Sequence, residues 1–422
     1  VFISAMLIQK ASVREILGRC RHLGVKTVAG GPLFTAEPEA YGDVDYLVLN
    51  EGEITMPPFL SDLERGEAHP VYTTDKWADI TKTPVPLWSL LKASKYSSFN
   101  IQYSRGCPFQ CDFCDITTLF GRVPRTKDAV QLVRELDAIY DTGWRGELFF
   151  VDDNFISNRN KLMEDILPAI IEWSERRGNP FCFLTEVSVN IADDDALMEM
   201  MVNAGFNSVF VGIETPDDIC LNECSKVQNR NRDLTSCVKK IQEYGMEVMG
   251  GFIVGFDSDS ETIFSRMIKF IQESGVVTAM VGLLNAPIGS RLYERLHREG
   301  RIENNFTGNN TDYSMNFVPK MDRNVLEKGY QSIVKTIYSP KHYYERIVNF
   351  LSRYNPKAIS EGFNLSGIRA FLRSVFRIGI FGKERKYYWK LLRWSLRNNP
   401  ATFPVAVRLS IYGYHFRKLY EA

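Results

Sequence analysis

Six short apolar runs, at residues 99–104, 147–152, 181–189, 208–214, 247–255 and 278–285, alternate with helical patterns along the middle of the chain. Ala129, Val133, Leu136 and Tyr140, three and four residues apart, mark one such helix. A strand that hands over to a helix before the next strand pairs parallel with it, because the crossover carries the chain back to the same end of the sheet. Six such units within about 190 residues are too few for a closed eight-stranded barrel and predict an open, partial one.

A smaller α/β pattern comes first. Residues 1–5 read as a strand, Val13, Ile16, Leu17 and Cys20 as one face of a helix, residues 26–29 as a strand ending in Gly30-Gly31-Pro32, and residues 45–49 as another strand. Ligands of parallel sheets bind outside the carboxyl ends of the strands, where Ser4, Gly30 and Gly31 are expected. A chain that opens on a strand and lacks an initiator Met reads as the N-terminally truncated remainder of a domain. Prolines 57, 58, 70, 84 and 86 make residues 54–95 linker-like. The expected division is an α/β fragment at 1–70, a linker at 71–95, a barrel at 96–295 and a helical basic, aromatic region at 296–422.

None of the apolar runs in this 422-residue chain approaches the roughly 18 residues that cross a bilayer, which excludes a polytopic membrane protein. Its 51 basic and 51 acidic residues cancel, but from Lys320 onward there are 20 basic against 6 acidic residues. Such an asymmetry points to a specialised C-terminal surface.

Three of the eight cysteines stand within eight residues, in Cys107-Pro-Phe-Gln-Cys111-Asp-Phe-Cys114, directly after the first barrel strand. Clustered thiols in a chain of this size suit a metal centre in a reducing cytoplasm better than a disulfide scaffold. Zinc would need a fourth Cys or His nearby, and no His occurs between His69 and His297. A cubane held by three thiolates keeps its fourth iron open to another ligand. Cys220 and Cys224 lie one helical turn apart with no third ligand clustered beside them, and read as structural.

The run C-x3-C-x-Phe-C resembles the signature of the radical S-adenosylmethionine (radical SAM) superfamily, and the likeness extends over residues 96–295. It implies a [4Fe-4S] cluster on Cys107, Cys111 and Cys114, with Phe113 beside SAM. The open iron would bind SAM, and one electron from a partner such as flavodoxin or ferredoxin would release a 5′-deoxyadenosyl radical that abstracts hydrogen. Where the family usually has Gly-Gly-Glu after the second strand, this chain has Asp152-Asp153-Asn154. Asp152 and Asp153 take that position, with the alternative of a turn and helix cap. Glu214 matches a position that bonds the ribose hydroxyls, and Gly251-Phe-Ile253-Val-Gly255 resembles the stretch whose backbone lies along the adenine. Glu186, Ser188 and Asn190 alternate onto one face of the third strand, with open roles.

Many radical SAM enzymes carry a cobalamin-binding domain upstream. Ser4-Ala5-Met6, followed after 23 residues by Gly30-Gly31, resembles the later elements of its signature and implies that Ser4, Gly30 and Gly31 line a cobalamin site. With Thr83-Pro-Val-Pro-Leu-Trp88, the run from Gln102, the segment 251–259 and Asn309-Asn310-Thr311, nearly the whole chain is similar to the group that includes the hopanoid C-2 methylases. The implied reaction is C-methylation of an unactivated carbon of a small molecule or membrane lipid, with one SAM methylating cobalamin and a second supplying the radical. Cyclisation or rearrangement, methylthiolation and a non-catalytic scaffold are the alternatives.

In the tail, Ile368, Phe371, Leu372, Val375 and Phe376 share a helical face flanked by Arg369, Arg373 and Arg377, with Tyr387, Tyr388, Trp389 and Trp394 following. The pattern predicts a cytoplasmic protein with peripheral contact on the inner membrane face. A helical cap on the barrel is the second reading, and RNA the third, so that nucleic acid is not the expected partner.

Overall fold

The computed structural model describes residues 1–303, 313–356 and 365–421, so the Asn309-Asn310-Thr311 run lies outside the described residues. The chain forms two compact units, each assembled from three segments. The first comprises Val1–Pro84, Arg105–Thr126 and Leu283–Val318, and the second comprises Val85–Ser104, Lys127–Gly282 and Pro319–Ala422.

In the first unit four short strands, β1 (Phe2–Ser4), β2 (Val28–Gly30), β3 (Tyr46–Val48) and β4 (Val71–Tyr72), pair parallel in chain order. Helix α1 (Lys10–His22) turns Val13, Leu17 and Cys20 inward, where the first two pack with Leu33, Phe34 and Leu47. Ile16, expected on that face, is exposed, because so small a sheet covers only the narrow i, i+4, i+7 stripe. Helix α2 (Pro32–Ala36) begins at Gly31. Pro57 and Pro58, expected in a linker, lie inside helix α3 (Gly52–Arg65). Phe59 overrides them: it is fully buried, with ring centroids 5.4 Å from both Tyr46 and Tyr72.

The second unit is built on a six-stranded sheet. Strand β5 (Ser98–Ile101) forms one edge, and the chain then passes the short strands β6 (Ser104–Arg105) and β7 (Arg125–Thr126). Next come β8 (Glu147–Phe150), β9 (Cys182–Val187), β10 (Phe206–Glu214), β11 (Glu247–Val254) and, at the far edge, β12 (Ala279–Leu283). β5, β8, β9, β10 and β11 pair parallel in that order, as the alternation of runs and helices predicts. The expected first strand is shorter than its apolar run, ending at Ile101. Between the strands, Asp128, Asp194, Asp217 and Asp233 start helices by accepting backbone N–H bonds at their N-caps. Phe150, Phe155, Phe183 and Phe206 form a fully buried aromatic cluster beneath β8–β10. Trp88, before the sheet, stacks on Phe99, which stacks in turn on Trp144.

The C-terminal helices belong to this second unit and bind the sheet through polar as well as apolar contacts. Arg346 is fully buried and donates to the carbonyls of Ile337 and Val277 at 2.9 and 3.1 Å. The Tyr338 hydroxyl donates to Ala279 O at 2.7 Å, and Arg408 pairs with Glu247 at 2.7 Å. Among the described residues no helix is long and apolar enough to cross a membrane.

Candidate active site

The cysteine loop is held at both ends by one buried carboxylate. Glu51 lies between β3 and α3 in the first unit and is 4% exposed. Arg125 donates to its two oxygens at 2.8 Å each, and Arg105 donates to it at 3.2 Å and to Glu53 at 2.7 Å. Burial pushes the Glu51 carboxyl up, but Arg125, the Ala78 N–H and Arg105 outweigh it and hold the group below the ordinary glutamate value. Arg105 and Arg125 flank residues 106–124, so the loop is pinned where it leaves and re-enters regular structure. Gly106, at φ +96°, starts it, and a Cβ there would come within 3.0–3.2 Å of three carbonyl oxygens. Inside the loop Cys114 N bonds Cys111 O at 3.1 Å, and Cys107 N bonds Gly121 O at 3.3 Å.

Helix α4 (Ile116–Phe120) follows the third cysteine, and Thr118 donates to Gly289 O at 2.9 Å. Cys107, Cys111, Phe113 and Cys114 are all partly exposed. Among the described residues no three His, Cys, Asp or Glu side chains form a group that could hold a single metal ion. A cubane makes no such demand, because it takes each thiolate on a different iron. Three thiols on one braced loop are a donor set that fits it.

In the second unit, polar side chains gather at the carboxyl ends of β5, β8, β9 and β10, where ligands of parallel sheets bind. Asp152, just after β8, is 1% exposed and accepts hydrogen bonds from Tyr103 N at 3.1 Å, from Ser104 N, and from Ser104 Oγ at 2.6 Å. Its carboxylate therefore braces the chain beyond β5. Burial raises its pKa to about 7 against these bonds. Asp153 beside it is partly exposed. Asn154 exchanges hydrogen bonds with Ser188 after β9, at 3.1 and 3.2 Å.

Glu186, near the end of β9, has its pKa raised to about 7, first by burial and then by Asp153, with further contributions from Asp152 and Glu214. Four carboxylates thus interact electrostatically, and Lys226 stands among them. Lys226 Nζ is 2.7 Å from Glu214 Oε1, and both side chains are buried. Glu214 ends β10 with φ +64°, an uncommon conformation for a non-glycine residue, at a register shift in the ladder to β11. Asn229 Nδ2 holds that turn by donating to Gly212 O and Ile213 O at 3.0 Å. Buried acceptors remain here without a partner among the described residues: Asn190 Oδ1 and Asn229 Oδ1. Such atoms suit a polar ligand that supplies donors.

Gly251 and Ile253 are partly exposed, whereas Phe252 and Val254, on the opposite face of β11, are buried. A Cβ at Gly251 would meet the Phe210 ring at 2.9 Å. Gly255 follows at φ +108° and donates its N–H to Asp259 at 2.7 Å. Cys220 Sγ also bonds Asp259, at 3.2 Å, and Cys224 is buried, consistent with the structural reading of this pair.

In the small sheet of the first unit, Ser4 and Gly30 are register partners at the carboxyl ends of β1 and β2. Gly31, at φ +88°, packs so closely on the end of β1 that a Cβ there would stand 2.8 Å from Ser4 Oγ and 3.1 Å from Ala5 N and O. The structure therefore brings these three residues together at the carboxyl ends of β1 and β2, the end at which ligands of parallel sheets bind.

Sequence reasoning misses Glu51, Arg105 and Arg125, and also Lys226 and Asn229. A polar pair, Asn50-Glu51, right after an apolar strand was the available signal for Glu51. For Lys226, twelve residues beyond its partner, there was none.

Residues 101–271 match the model of the radical SAM superfamily, and residues 290–422 match a domain of unknown function, DUF4070. An uncharacterized methyltransferase of Synechocystis sp. is 37% identical over 427 residues, covering 100% of this chain and 80% of the relative. The hopanoid C-2 methylase of Rhodopseudomonas palustris is 34% identical, covering 98% of this chain and 80% of that protein. Two solved structures share the fold. The radical SAM methyltransferase TsrM of Kitasatospora setae, with cobalamin and a [4Fe-4S] cluster bound, has a TM-score of 0.63 at 12% identity over 98% of this chain and 88% of that one. The cobalamin-dependent SAM radical enzyme OxsB, with aqua-cobalamin and SAM bound, gives 0.64 at 16% identity over 99% and 75%.

Proposed function

From a chain that belongs to the cobalamin-dependent radical SAM family, in the group that includes the hopanoid C-2 methylases, we propose a C-methyltransferase acting on an unactivated carbon of a hopanoid or other membrane lipid. The observation that carries this reading is the 34% identity to the hopanoid C-2 methylase, which runs through 98% of the chain. The enzyme takes a [4Fe-4S] cluster, SAM and cobalamin in this reading. When bound, they supply hydrogen abstraction and a transferable methyl group, for which no acid–base side chain would suffice.

The protein's part is to bind and orient. Cys107, Cys111 and Cys114 carry the cluster, and Phe113 lies beside SAM. Asp153 and Glu186 present negative charge to the cationic groups of SAM, and Lys226 fixes the Glu214 carboxylate for the ribose hydroxyls. Asp152 braces the backbone after β5. Gly251 and Ile253 offer a low, partly exposed strand surface to the adenine, and Gly255, buried just beyond the strand, turns the chain there. Ser4, Gly30 and Gly31 line the cobalamin site. The electron comes from an external reductant of the flavodoxin or ferredoxin kind, and the protein works in the cytoplasm.

The full chain, reconstituted anaerobically with iron, sulfide and cobalamin, is to be given SAM, a reductant and a bacterial lipid extract. The expected result is 5′-deoxyadenosine and S-adenosylhomocysteine together, with a lipid heavier by one methylene. Deoxyadenosine without S-adenosylhomocysteine or a methylated lipid would replace methyl transfer with rearrangement chemistry.

A further inference from the structure

The helix Leu365–Ser374 continues into a wider π segment, Val375–Ile380, and the two sides of this rod have different environments. One side packs into the second unit. The Phe371 ring lies 5.7 Å from that of Phe403, Ser374 Oγ meets the Tyr388 hydroxyl at 2.8 Å, and Trp389 Nε1 donates to Gly379 O at 2.9 Å. The expected single apolar face is thereby split. Phe371 and Val375 turn partly inward, whereas Ile368, Leu372, Phe376 and Ile380 are exposed, Phe376 at 61%.

These four residues follow one another in steps of four. Such steps drift around an α-helix, but a π turn rotates less per residue and offsets the drift, keeping the row on one side. Phe381, 76% exposed, extends the row at the far end with its ring 6.4 Å from that of Phe376.

Along the segment from 365 to 400 the exposed charge has one sign. Arg369, Arg373, Arg377, Lys383, Arg385, Lys386, Lys390, Arg393 and Arg397 are all exposed. Glu384, the only acidic residue from 365 to 400, is buried and paired with Arg417 at 2.6 Å. Nothing acidic on this segment offsets the nine cations toward solvent. Apolar side chains projecting between unopposed bases match the boundary of an anionic bilayer, where acyl chains lie just beneath the phosphates.

We propose that this surface docks the protein on anionic lipid bilayers, with Ile368, Leu372, Phe376, Ile380 and Phe381 entering the headgroup–acyl boundary and the surrounding arginines and lysines meeting lipid phosphates. The proposal does not depend on the reaction catalysed, and its test needs no turnover. Flotation of the full chain with phosphatidylglycerol–phosphatidylcholine vesicles, and with phosphatidylcholine alone, reads it directly. The protein floats with the anionic vesicles, and its affinity falls as salt rises.

The exposed-site variant R369Q/R373Q/R377Q weakens binding on the order of a hundredfold. The variant L372Q/F376Q loses the salt-resistant part of binding, and circular dichroism shows both variants folded. Equal flotation with neutral vesicles, no flotation, or full binding by L372Q/F376Q each overturns the proposal. So does tighter binding to single-stranded RNA than to the vesicles, which would make the basic face a nucleic-acid surface.

Discussion

Lys226 donates to Glu214 at 2.7 Å, and the two meet in space that Gly212 leaves open: a Cβ at Gly212 would stand 2.5 Å from Glu214 Oε1 and 2.8 Å from Lys226 Nζ. A buried pair of this kind costs desolvation and contributes little net stability. Its value lies in fixing one carboxylate at the end of β10, where the backbone already adopts the strained φ that aims it.

Gly212→Ala must push this pair apart. The expected result is at least a tenfold loss of SAM affinity, measured by equilibrium binding, with a stability loss of about 1–3 kcal/mol. Gly18→Ala is the matched control, because no heavy atom lies within 4 Å of its added methyl in α1. That change should stabilise by about 0.5–1 kcal/mol. Unchanged SAM affinity in Gly212→Ala would remove the Glu214–Lys226 pair from the SAM site.

Glu186 and Asp152 give the fold a pH dependence of definite sign. Both have pKa values raised to about 7, so the folded state holds protons that the unfolded chain has already released. Stability is full below the unfolded carboxylate values, declines as pH rises toward 7, and levels off above it. Urea midpoints should therefore fall between pH 5 and pH 8. Glu186→Gln should remove on the order of 2–3 kcal/mol of that dependence. SAM affinity should run the other way, rising over the same range as Glu186 ionises against a cationic ligand. A variant whose stability profile matches that of the parent would show that Glu186 titrates as an ordinary carboxylate.

Strands, their parallel order and the cysteine loop were legible because each is written locally. An apolar run of five to nine residues is a strand wherever it pairs, and a triplet of thiols within eight residues has few other uses. Pro57 and Pro58 misled because helix α3 is decided by where Phe59 packs, which no local pattern states. Lys226 was illegible for the same reason, since only the fold brings it to Glu214. The C-terminal face was half legible. Periodicity identified the apolar residues around 368–376, but their division into packed and exposed rows depends on Phe403, Tyr388 and Trp389 lying against one side.

The assignment of cysteines to the cluster separates cleanly by substitution. Cys111→Ala should abolish the iron content of reconstituted protein and all 5′-deoxyadenosine formation. Cys220→Ala should keep both, because its thiol is engaged with Asp259 inside the second unit, and burial with Asp259 beside it raises its pKa far above the thiolate range. Iron analysis and nucleoside chromatography on the same samples check this. SAM cleavage retained by Cys111→Ala would sink the cluster assignment.

Glu51→Gln tests whether the brace on the cysteine loop matters to the cluster as well as to the fold. The substitution leaves Arg125 without a carboxylate partner among the described residues, while Arg105 keeps Glu53 at 2.7 Å. Breaking a buried pair from one side costs about 3–5 kcal/mol, and the surviving Glu53 contact places the expected loss at the lower end. The Glu51 carboxyl is held below its ordinary value, so its contribution is present at neutral pH and lost as pH falls through that lowered value. The parent and Glu51→Gln should therefore differ most near pH 7 and converge in acid. Iron retained per folded chain should fall in parallel, because the ends of residues 106–124 are then free to move apart. Urea titration across pH, together with iron analysis at matched folded fraction, separates the two effects. Full iron content in a destabilised variant would confine Glu51 to a purely structural role.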